Sequence, residues 1–356
     1  MPVKSIDELT ALAAAALKAH GASDSMARTT ARYLVAADAQ GLPTHGVMRV
    51  PSYCGHLGVK RANGAAVPKI VNEKPAACLI DADNGLGFEA CEMAVAQAVA
   101  RARTQGMGFA GVTNSHHCGA LAILLEPVAK AGMVGLAFSN ASSAIMPWGG
   151  TRPIFGTNPV AAIFGRRNAP PIVVDLSLTQ VTRGQIMLNV KQGKPIPDGW
   201  GMDKDGRPTN DAQKILVGGS LYAVGGLKGT MLALAVELIC CALTGAALSH
   251  EVASMHTNEG PPLRLGQAFL AIDPGALAGS AVYFERVETL VAAILADEGA
   301  RLPGDRRHAL STRAGRDGVE IAADLEQQLR TLAQRAAQAF TSAASAAPAS
   351  QRDCAC

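Results

Sequence analysis

Short apolar runs alternate with helix-like segments between residues 76 and 174, and this alternation limits the fold more than any other feature. The runs predict these strands: Ala77–Ile80, Phe109–Val112, Val134–Phe138, Val160–Phe164 and Ile172–Val174. Helical patterns at Glu89–Arg103 and Ala120–Ala131 separate some of them. Such alternation is typical of an α/β core with parallel strands. Further on, the sequence predicts one more strand and three helices, at Gln267–Ile272, Thr179–Val190, Lys228–Leu243 and Val287–Asp297.

The first 40 residues predict two helices. Ser5 and Glu8 have the spacing of a capping box, Gly21 interrupts the helical pattern, and Ser23 or Asp24 can cap the second helix. The polar stretch beyond Gly46 is expected to be hairpin-like, with a turn at Asn63-Gly64. We therefore expect a helical region with a catalytic loop over 1–75, an α/β core with cofactor-binding and substrate or dimerisation parts over 76–330, and an amphipathic helix end and disordered tail over 331–356.

Composition excludes several classes of function. The net charge is only +3 over 356 residues, which gives no basic face for nucleic acid. The apolar run Met231–Ala247 has Glu237 at its centre and is shorter than the ~20 residues of a membrane span. It predicts a fully buried helix, and with no signal peptide the expected location is cytoplasmic.

Eight cysteines are irregularly spaced and form no zinc pattern. We interpret them as free thiols in a reducing compartment. Cys354 and Cys356 could form a metal or redox pair, although a disordered tail is the simpler interpretation.

The segment Gly85–Ala90 matches the G-x-G-x-x-A fingerprint of dinucleotide-binding loops. The acidic residue expected about 20 residues later is missing, because Val112 leads into Thr113 and Asn114. We therefore interpret these glycines as a tight strand-to-helix turn and do not expect a Rossmann site.

Thr44, His45 and Arg49 form the first candidate site. His45 lies in a loop rich in Pro and Gly, and an imidazole can exchange protons near neutral pH. Arg49 could bind a carboxylate with two hydrogen bonds. From the residues alone, an ordinary surface histidine in a capping loop remains the alternative.

Several other loops have the composition of anion-binding sites. His116 and His117 precede a predicted helix, where backbone amides could hold a phosphate; adjacent histidines do not easily share a metal ion. The others are Gly149-Gly150, Phe155–Pro159, Gly225–Gly229 and Arg301–Arg307, the last with three guanidinium groups. Together they indicate a phosphorylated ligand, although each could be an ordinary polar turn.

In this order, these motifs resemble the malate/L-lactate dehydrogenase family that lacks a Rossmann fold. The matching segments are Ala37–Gly41, Thr44–Gly46, Arg49, Asp83–Gly87, Phe155–Pro159, Ile196–Trp200, Pro208–Asp211, Gly225–Gly229 and Arg301–Gly304. Within the family the chain looks most like the reductases of Δ1-piperideine-2-carboxylate and Δ1-pyrroline-2-carboxylate, on the evidence of His116–Leu121, Glu126-Pro127 and Lys228–Leu234. The resemblance implies a mixed-sheet α/β fold with helical N- and C-terminal parts, and a homodimer.

The resemblance also implies roles for individual residues. His45 would donate the proton with Thr44 as its relay neighbour, and Arg49 and Thr157 would hold the substrate carboxylate. NADPH, or alternatively NADH, would contact His117, Cys118, Gly119, Ala120, Leu121, Asp175, Leu176, Ser177, Leu227, Lys228, Arg301, Leu302, Pro303, Gly304, Asp305, Arg306 and Arg307. No metal is implied.

Two departures from the imine-reducing relatives bear on catalysis. Thr44 stands where those relatives usually have serine, which keeps the hydroxyl. Gln185 stands where they have an acidic relay residue; it could orient His45 but not stabilise its charged form. Asp175 is an acid that could compensate.

The expected function is NADPH-dependent reduction of a cyclic imine 2-carboxylate, to L-pipecolate or L-proline. One alternative is an NAD(P)-dependent dehydrogenase of a 2-hydroxy acid such as malate, lactate or ureidoglycolate. Another is a cofactor-binding relative whose turnover is impaired by Gln185. The ligand is in each case a small molecule.

Overall fold

The computed structural model describes the backbone of residues 1–344 and the side chains of residues 1–334. The tail expected at the C-terminus, with Cys354 and Cys356, falls in residues 345–356, which lie outside the described part. Twelve α-helices occur within the described part: α1 Ile6–Ala19, α2 Asp24–Ala39, α3 Val50–Gly58, α4 Phe88–Gln105, α5 Leu121–Leu124, α6 Glu126–Lys130, α7 Arg183–Gln192, α8 Ala212–Leu216, α9 Leu227–Glu237, α10 Ser280–Leu295, α11 Asp305–Asp317 and α12 Ala323–Ala344. The strands of the same part are β1 Val3–Lys4, β2 Lys69–Lys74, β3 Ala77–Asp81, β4 Met107–Ser115, β5 Val134–Ser139, β6 Val160–Phe164, β7 Ile172–Leu176, β8 Gly201–Met202, β9 Ser220–Leu221, β10 Leu265–Ile272 and β11 Val319–Glu320.

The main sheet has seven strands in the order β2-β3-β4-β10-β5-β6-β7. Only β3 and β4 are parallel, and the other neighbours are antiparallel. The mixed sheet confirms the fold class implied by the resemblance. The expectation of parallel strands, drawn from the alternation alone, is wrong, because β10 arrives from late in the chain and enters antiparallel between β4 and β5.

The N-terminal helices are confirmed, including their start signals. The Ser5 side chain accepts from the Glu8 amide while Glu8 accepts from the Ser5 amide, which is a complete capping box. Ser23 caps α2 through the amide of Met26. Fully buried leucines such as Leu9 and Leu34 fix these helices against the core, so the end of α2 is held rigidly.

The turn at Gly85–Gly87 is structural, as the missing acid indicated. Gly87 immediately precedes α4, and a Cβ there would lie 2.6 Å from the carbonyl oxygen of His116. Only glycine allows this approach, and the turn thereby supports the loop after β4. The turn expected at Asn63-Gly64 joins no pair of strands; the hairpin is instead formed by β2 and β3 around Pro75-Ala76.

The expectation of a fully buried helix over Met231–Ala247 is wrong. α9 continues into one π-helical turn, Leu238–Ala242, and only one side of it is buried, with Ala233 and Cys240 fully covered. The opposite side exposes apolar residues in the single chain: Leu232 is 55% exposed and Leu243 is 67% exposed. Among the described residues, no helix is long and apolar enough to cross a membrane.

Candidate active site

The loop after α2 is built around the buried carboxylate of Asp38. The Val47 amide donates a hydrogen bond to Asp38 Oδ2 at 2.7 Å, and a Cβ on Gly46 would overlap this carboxylate. Burial raises the pKa of Asp38 to about 7, against the lowering effect of the Val47 hydrogen bond. Asp38 therefore fixes the path of the chain on either side of His45.

His45 lies at the end of a short 3-10 turn, Pro43–His45. Its Nδ1 is 3.1 Å from the Thr44 hydroxyl, and its ring stacks on His117 with centroids 5.6 Å apart. Burial, together with the positive charges of Arg49 and Arg307, lowers the pKa of His45 to about 4. The ring is consequently neutral at pH 7, and its Nε2 is left for a substrate.

Arg49 is anchored beside His45 by its own loop. Its Nε donates to the carbonyl oxygen of Thr44 at 2.6 Å. This bond orients the guanidinium while leaving the terminal nitrogens for a carboxylate. The structure thus brings together Thr44, His45 and Arg49.

His117 has a defined tautomer. Its Nδ1 lies 2.6 Å from the Tyr53 hydroxyl and 3.3 Å from the amide nitrogen of Gly119. The amide can only donate, so Nδ1 accepts and the ring proton is on Nε2. His117 therefore presents an N–H donor on the ring that stacks against His45.

His116 points the other way, into the core. It is 1% exposed, and its Nε2 is 2.8 Å from Nδ1 of His56. Burial lowers the pKa of His116 to about 3. The two adjacent histidines therefore have separate functions, and only His117 faces the site.

Two segments expected to bind cofactor are adjacent. The Val173 amide donates to the carbonyl oxygen of Pro303 at 2.9 Å, and Arg307 pairs with Asp175 at 2.9 Å. Asp175 therefore forms an ion pair with Arg307, and none of its hydrogen bonds in the described structure reaches His45. Because the Arg307 charge acts on His45, the segment from Arg301 to Arg307 lies near the catalytic loop.

The residues present fit a phosphorylated nucleotide. Arg301 and Arg306 are exposed, and neither forms an ion pair within the described part of the chain. Gly304 has φ +103°, and a Cβ there would lie 3.0 Å from Val173. This turn allows two unpaired guanidinium groups to be presented from one short segment, as a phosphate requires.

Other predicted site residues are not linked to His45 by a hydrogen bond within the described part. The carbonyl oxygen of Thr157 accepts from Leu178, next to the segment Asp175–Ser177. The side-chain Nε2 of Gln185 donates to Asn189 Oδ1 at 2.8 Å. Leu227 and Lys228 begin α9, whereas Cys118, Gly119, Ala120 and Leu121 form the turn that enters α5.

Four side chains that shape this region carried no role in the sequence analysis: Asp38, Tyr53, Arg183 and His256. Asp38 lies in the last turn of α2 and Arg183 is the first residue of α7, and each charge opposes the helix dipole there. A charge that opposes the helix dipole is unfavourable for stability, and it is visible in the sequence as a sign of a functional role. Tyr53 and His256 carry no comparable signal.

The histidines, cysteines and carboxylates of the described residues are dispersed: within residues 1–344 no three His, Cys, Asp or Glu residues are placed to hold a metal ion. The six cysteines there are buried free thiols, and burial raises the pKa of Cys54 to about 12. The polar groups around His45 therefore define the candidate site.

Comparison with known proteins places this geometry in a family. The family model described as malate/L-lactate dehydrogenase matches residues 4–330. The chain is 40% identical over 329 residues to a (2R)-3-sulfolactate dehydrogenase (NADP(+)) of Chromohalobacter salexigens, covering 92% of this chain and 97% of the relative. It is 35% identical to a Δ1-pyrroline-2-carboxylate/Δ1-piperideine-2-carboxylate reductase of Pseudomonas putida, covering 91% and 94%.

A solved structure gives the same result. The Δ1-piperideine-2-carboxylate reductase of Pseudomonas syringae superposes with a TM-score of 0.88 at 33% identity, covering 93% of this chain and 100% of that one. The resemblance seen in the motifs is therefore confirmed over nearly the whole described chain. The chain is an NAD(P)-dependent oxidoreductase that belongs to the malate/L-lactate dehydrogenase family.

Proposed function

We propose that the chain is an NADP(H)-dependent dehydrogenase that interconverts a small 2-hydroxy acid and the corresponding 2-oxo acid. The observation that carries this proposal is a neutral His45 beside Arg49, whose terminal nitrogens are free to bind a carboxylate. Oxidation of a hydroxyl group needs a neutral base, and a histidine with a pKa of about 4 is neutral throughout the physiological range. The 40% identity with an NADP-dependent sulfolactate dehydrogenase supports the same assignment.

Each residue then has a chemical task. Arg49 binds the carboxylate of the substrate, which fixes C2 and its hydroxyl near His45. His45 Nε2 accepts the hydroxyl proton, while its Nδ1–H donates to the Thr44 hydroxyl. The chemistry that the bound nicotinamide supplies is acceptance of hydride from C2, or its donation in the reverse direction.

Preference for NADP over NAD is proposed from the arginine segment. Arg301 and Arg306 are exposed and form no ion pair with a described residue, so they are available to a ribose 2′-phosphate. Asp305 carries the opposing charge in this segment, but its carboxylate already accepts from the Leu302 amide at 3.2 Å. His117, with its Nε2–H donor, is proposed to contact the cofactor beside His45.

Reduction of a cyclic imine 2-carboxylate is the second candidate. It is supported by the 35% identity with the Pseudomonas putida reductase and by the close structural similarity to the Pseudomonas syringae enzyme. We rank it second because the identity with the imine reductases is lower, 35% and 33% against 40% for the sulfolactate dehydrogenase.

The proposal is tested by steady-state loss of NADPH absorbance with the purified full chain. The substrates are 3-sulfopyruvate, oxaloacetate, pyruvate and Δ1-piperideine-2-carboxylate, each repeated with NADH. We expect turnover of a 2-oxo acid and faster reaction with NADPH than with NADH. Turnover of the imine alone would replace the proposal by the second candidate. No turnover with retained NADPH binding would favour a relative impaired in catalysis.

A homodimer is also proposed, through the uncovered side of α9. Besides Leu232 and Leu243, this side exposes Met231 (49%) and Leu238 (49%). Exposed apolar residues grouped on one side of a helix are typical of an oligomer interface. Light scattering coupled to gel filtration is expected to give twice the chain mass of 36.6 kDa, and a single-chain mass would contradict the proposal.

A further inference from the structure

One guanidinium group beside the catalytic loop has a nitrogen that no described residue pairs with. Arg183 is the first residue of α7, and its Nε is buried without a hydrogen-bond partner among the described residues. It forms no ion pair with a described acid. Buried polar groups are almost always paired, so this guanidinium nitrogen is open to a ligand that supplies the missing acceptor.

Arg183 lies on an element that packs against the catalytic loop. The next residue, Gly184, packs against the catalytic loop: a Cβ on Gly184 would lie 3.3 Å from Cγ2 of Thr44. Desolvation, together with the charges of Arg49 and Arg183, lowers the pKa of His256 to about 4. Two arginines from separate elements therefore converge on one region next to His45.

The residues that the structure describes do not balance the charges of this region. Asp175 neutralises Arg307, and Asp38 is turned toward the backbone of its own loop. His45 and His256 are neutral at pH 7. Arg49 and Arg183 are thus two cations without a described counter-charge, and a substrate with one carboxylate would satisfy only one of them.

We infer that Arg183 is a specificity-determining residue that binds a second anionic group, a sulfonate or a carboxylate, carried on the carbon next to the reacting carbon of the substrate. The inference rests on the proposed function for the reaction at C2, and it adds the class of substrate. Arg49 holds the carboxylate common to all 2-hydroxy acids, whereas Arg183 selects those with a second negative charge.

The first test measures binding without turnover. NADPH-loaded protein is titrated by calorimetry with 3-sulfopropanoate, succinate and butanoate, which share a carboxylate but differ in the second group. We expect the better of the two dianions to bind about 10²-fold more tightly than butanoate, because a desolvated charge-assisted pair discriminates strongly. The stronger dianion identifies the second group as sulfonate or carboxylate.

Arg183→Met is expected to remove this preference, bringing dianion affinity to that of butanoate, while butanoate affinity changes less than threefold. Arg183→Lys should restore part of it. The matched control is Arg103→Met, which removes an exposed cation from the last turn of α4 and should change none of the affinities. Light scattering on each variant checks that Arg183 is not an interface residue.

The inference is overturned if the wild type binds butanoate as tightly as the dianions, or if none of the three binds. It is also overturned if Arg183→Met weakens all three ligands equally or alters the oligomeric mass. Failure of the proposed function is a separate result: the chain would bind dianions in an Arg183-dependent manner but turn over no 2-oxo acid.

Discussion

His45→Ala is expected to lower kcat for the 2-oxo acid by about 10²–10⁴-fold, the range for loss of a positioned general acid or base. The expectation rests on the free Nε2 of a ring held through Nδ1 by the Thr44 hydroxyl. Alanine removes both nitrogens and leaves the Asp38 anchor of the loop intact. Steady-state kinetics in both directions measures the effect.

NADPH binding separates a catalytic role for His45 from a structural one. His117, which stacks on His45, keeps its hydrogen bonds to Tyr53 and Gly119 in the variant. NADPH affinity, measured by fluorescence titration, should therefore change less than threefold. His250→Ala, at an exposed histidine, is the matched control and should keep full turnover. Unchanged kcat in His45→Ala would remove the assigned role, and loss of NADPH binding would make His45 a cofactor residue.

The local features of the fold were predictable, whereas its long-range pairing was not. The capping box at Ser5 and the glycine turn at Gly87 depend on residues within a few positions of each other. The insertion of β10 between β4 and β5 depends on pairing across more than a hundred residues. Apolar periodicity carries no information about such pairing, and the parallel sheet expected from it was wrong for that reason.

The candidate site shows the same division. Thr44, His45 and Arg49 are neighbours in sequence and meet in space, so a motif could identify them. His116 and His117 are also neighbours, but one joins the core through His56 and the other faces the site. Arg183 lies in no recognised motif and reaches the region only through the packing of α7 against the catalytic loop. Sequence spacing could indicate neither the different surroundings of His116 and His117 nor the location of Arg183.

Arg49→Met is expected to raise KM for every 2-oxo acid, by about 10²-fold or more, because the carboxylate loses a charge-assisted, two-point contact. Arg49→Lys should recover only part of the affinity. A single ammonium group cannot reproduce both the bond to the Thr44 carbonyl and a two-point contact with the carboxylate. A rise of less than threefold would show that another group binds the carboxylate.

The same substitution should move the pH profile in a defined direction. The Arg49 charge is the largest contribution, after burial, to the low pKa of His45, so its removal raises that pKa toward the ordinary value. Oxidation of the hydroxy acid needs neutral His45; kcat/KM is therefore kept above this pKa and lost as the pH falls through it. The acid limb should shift to higher pH in Arg49→Met and stay in place in Arg103→Met. A shift to lower pH would contradict the charge effect.

Arg49 and Arg183 form a pair whose substitutions are expected to differ in kind. Loss of Arg49 should weaken one-anion and two-anion substrates alike, since both carry the carboxylate next to C2. Loss of Arg183 should weaken only the two-anion substrate. The charge of Arg49 lowers the pKa of His45, so Arg49→Met should move the acid limb. If both variants gave the same substrate profile and the same pH shift, the two arginines would form one undivided anion site, and the assignment of separate groups to them would fail.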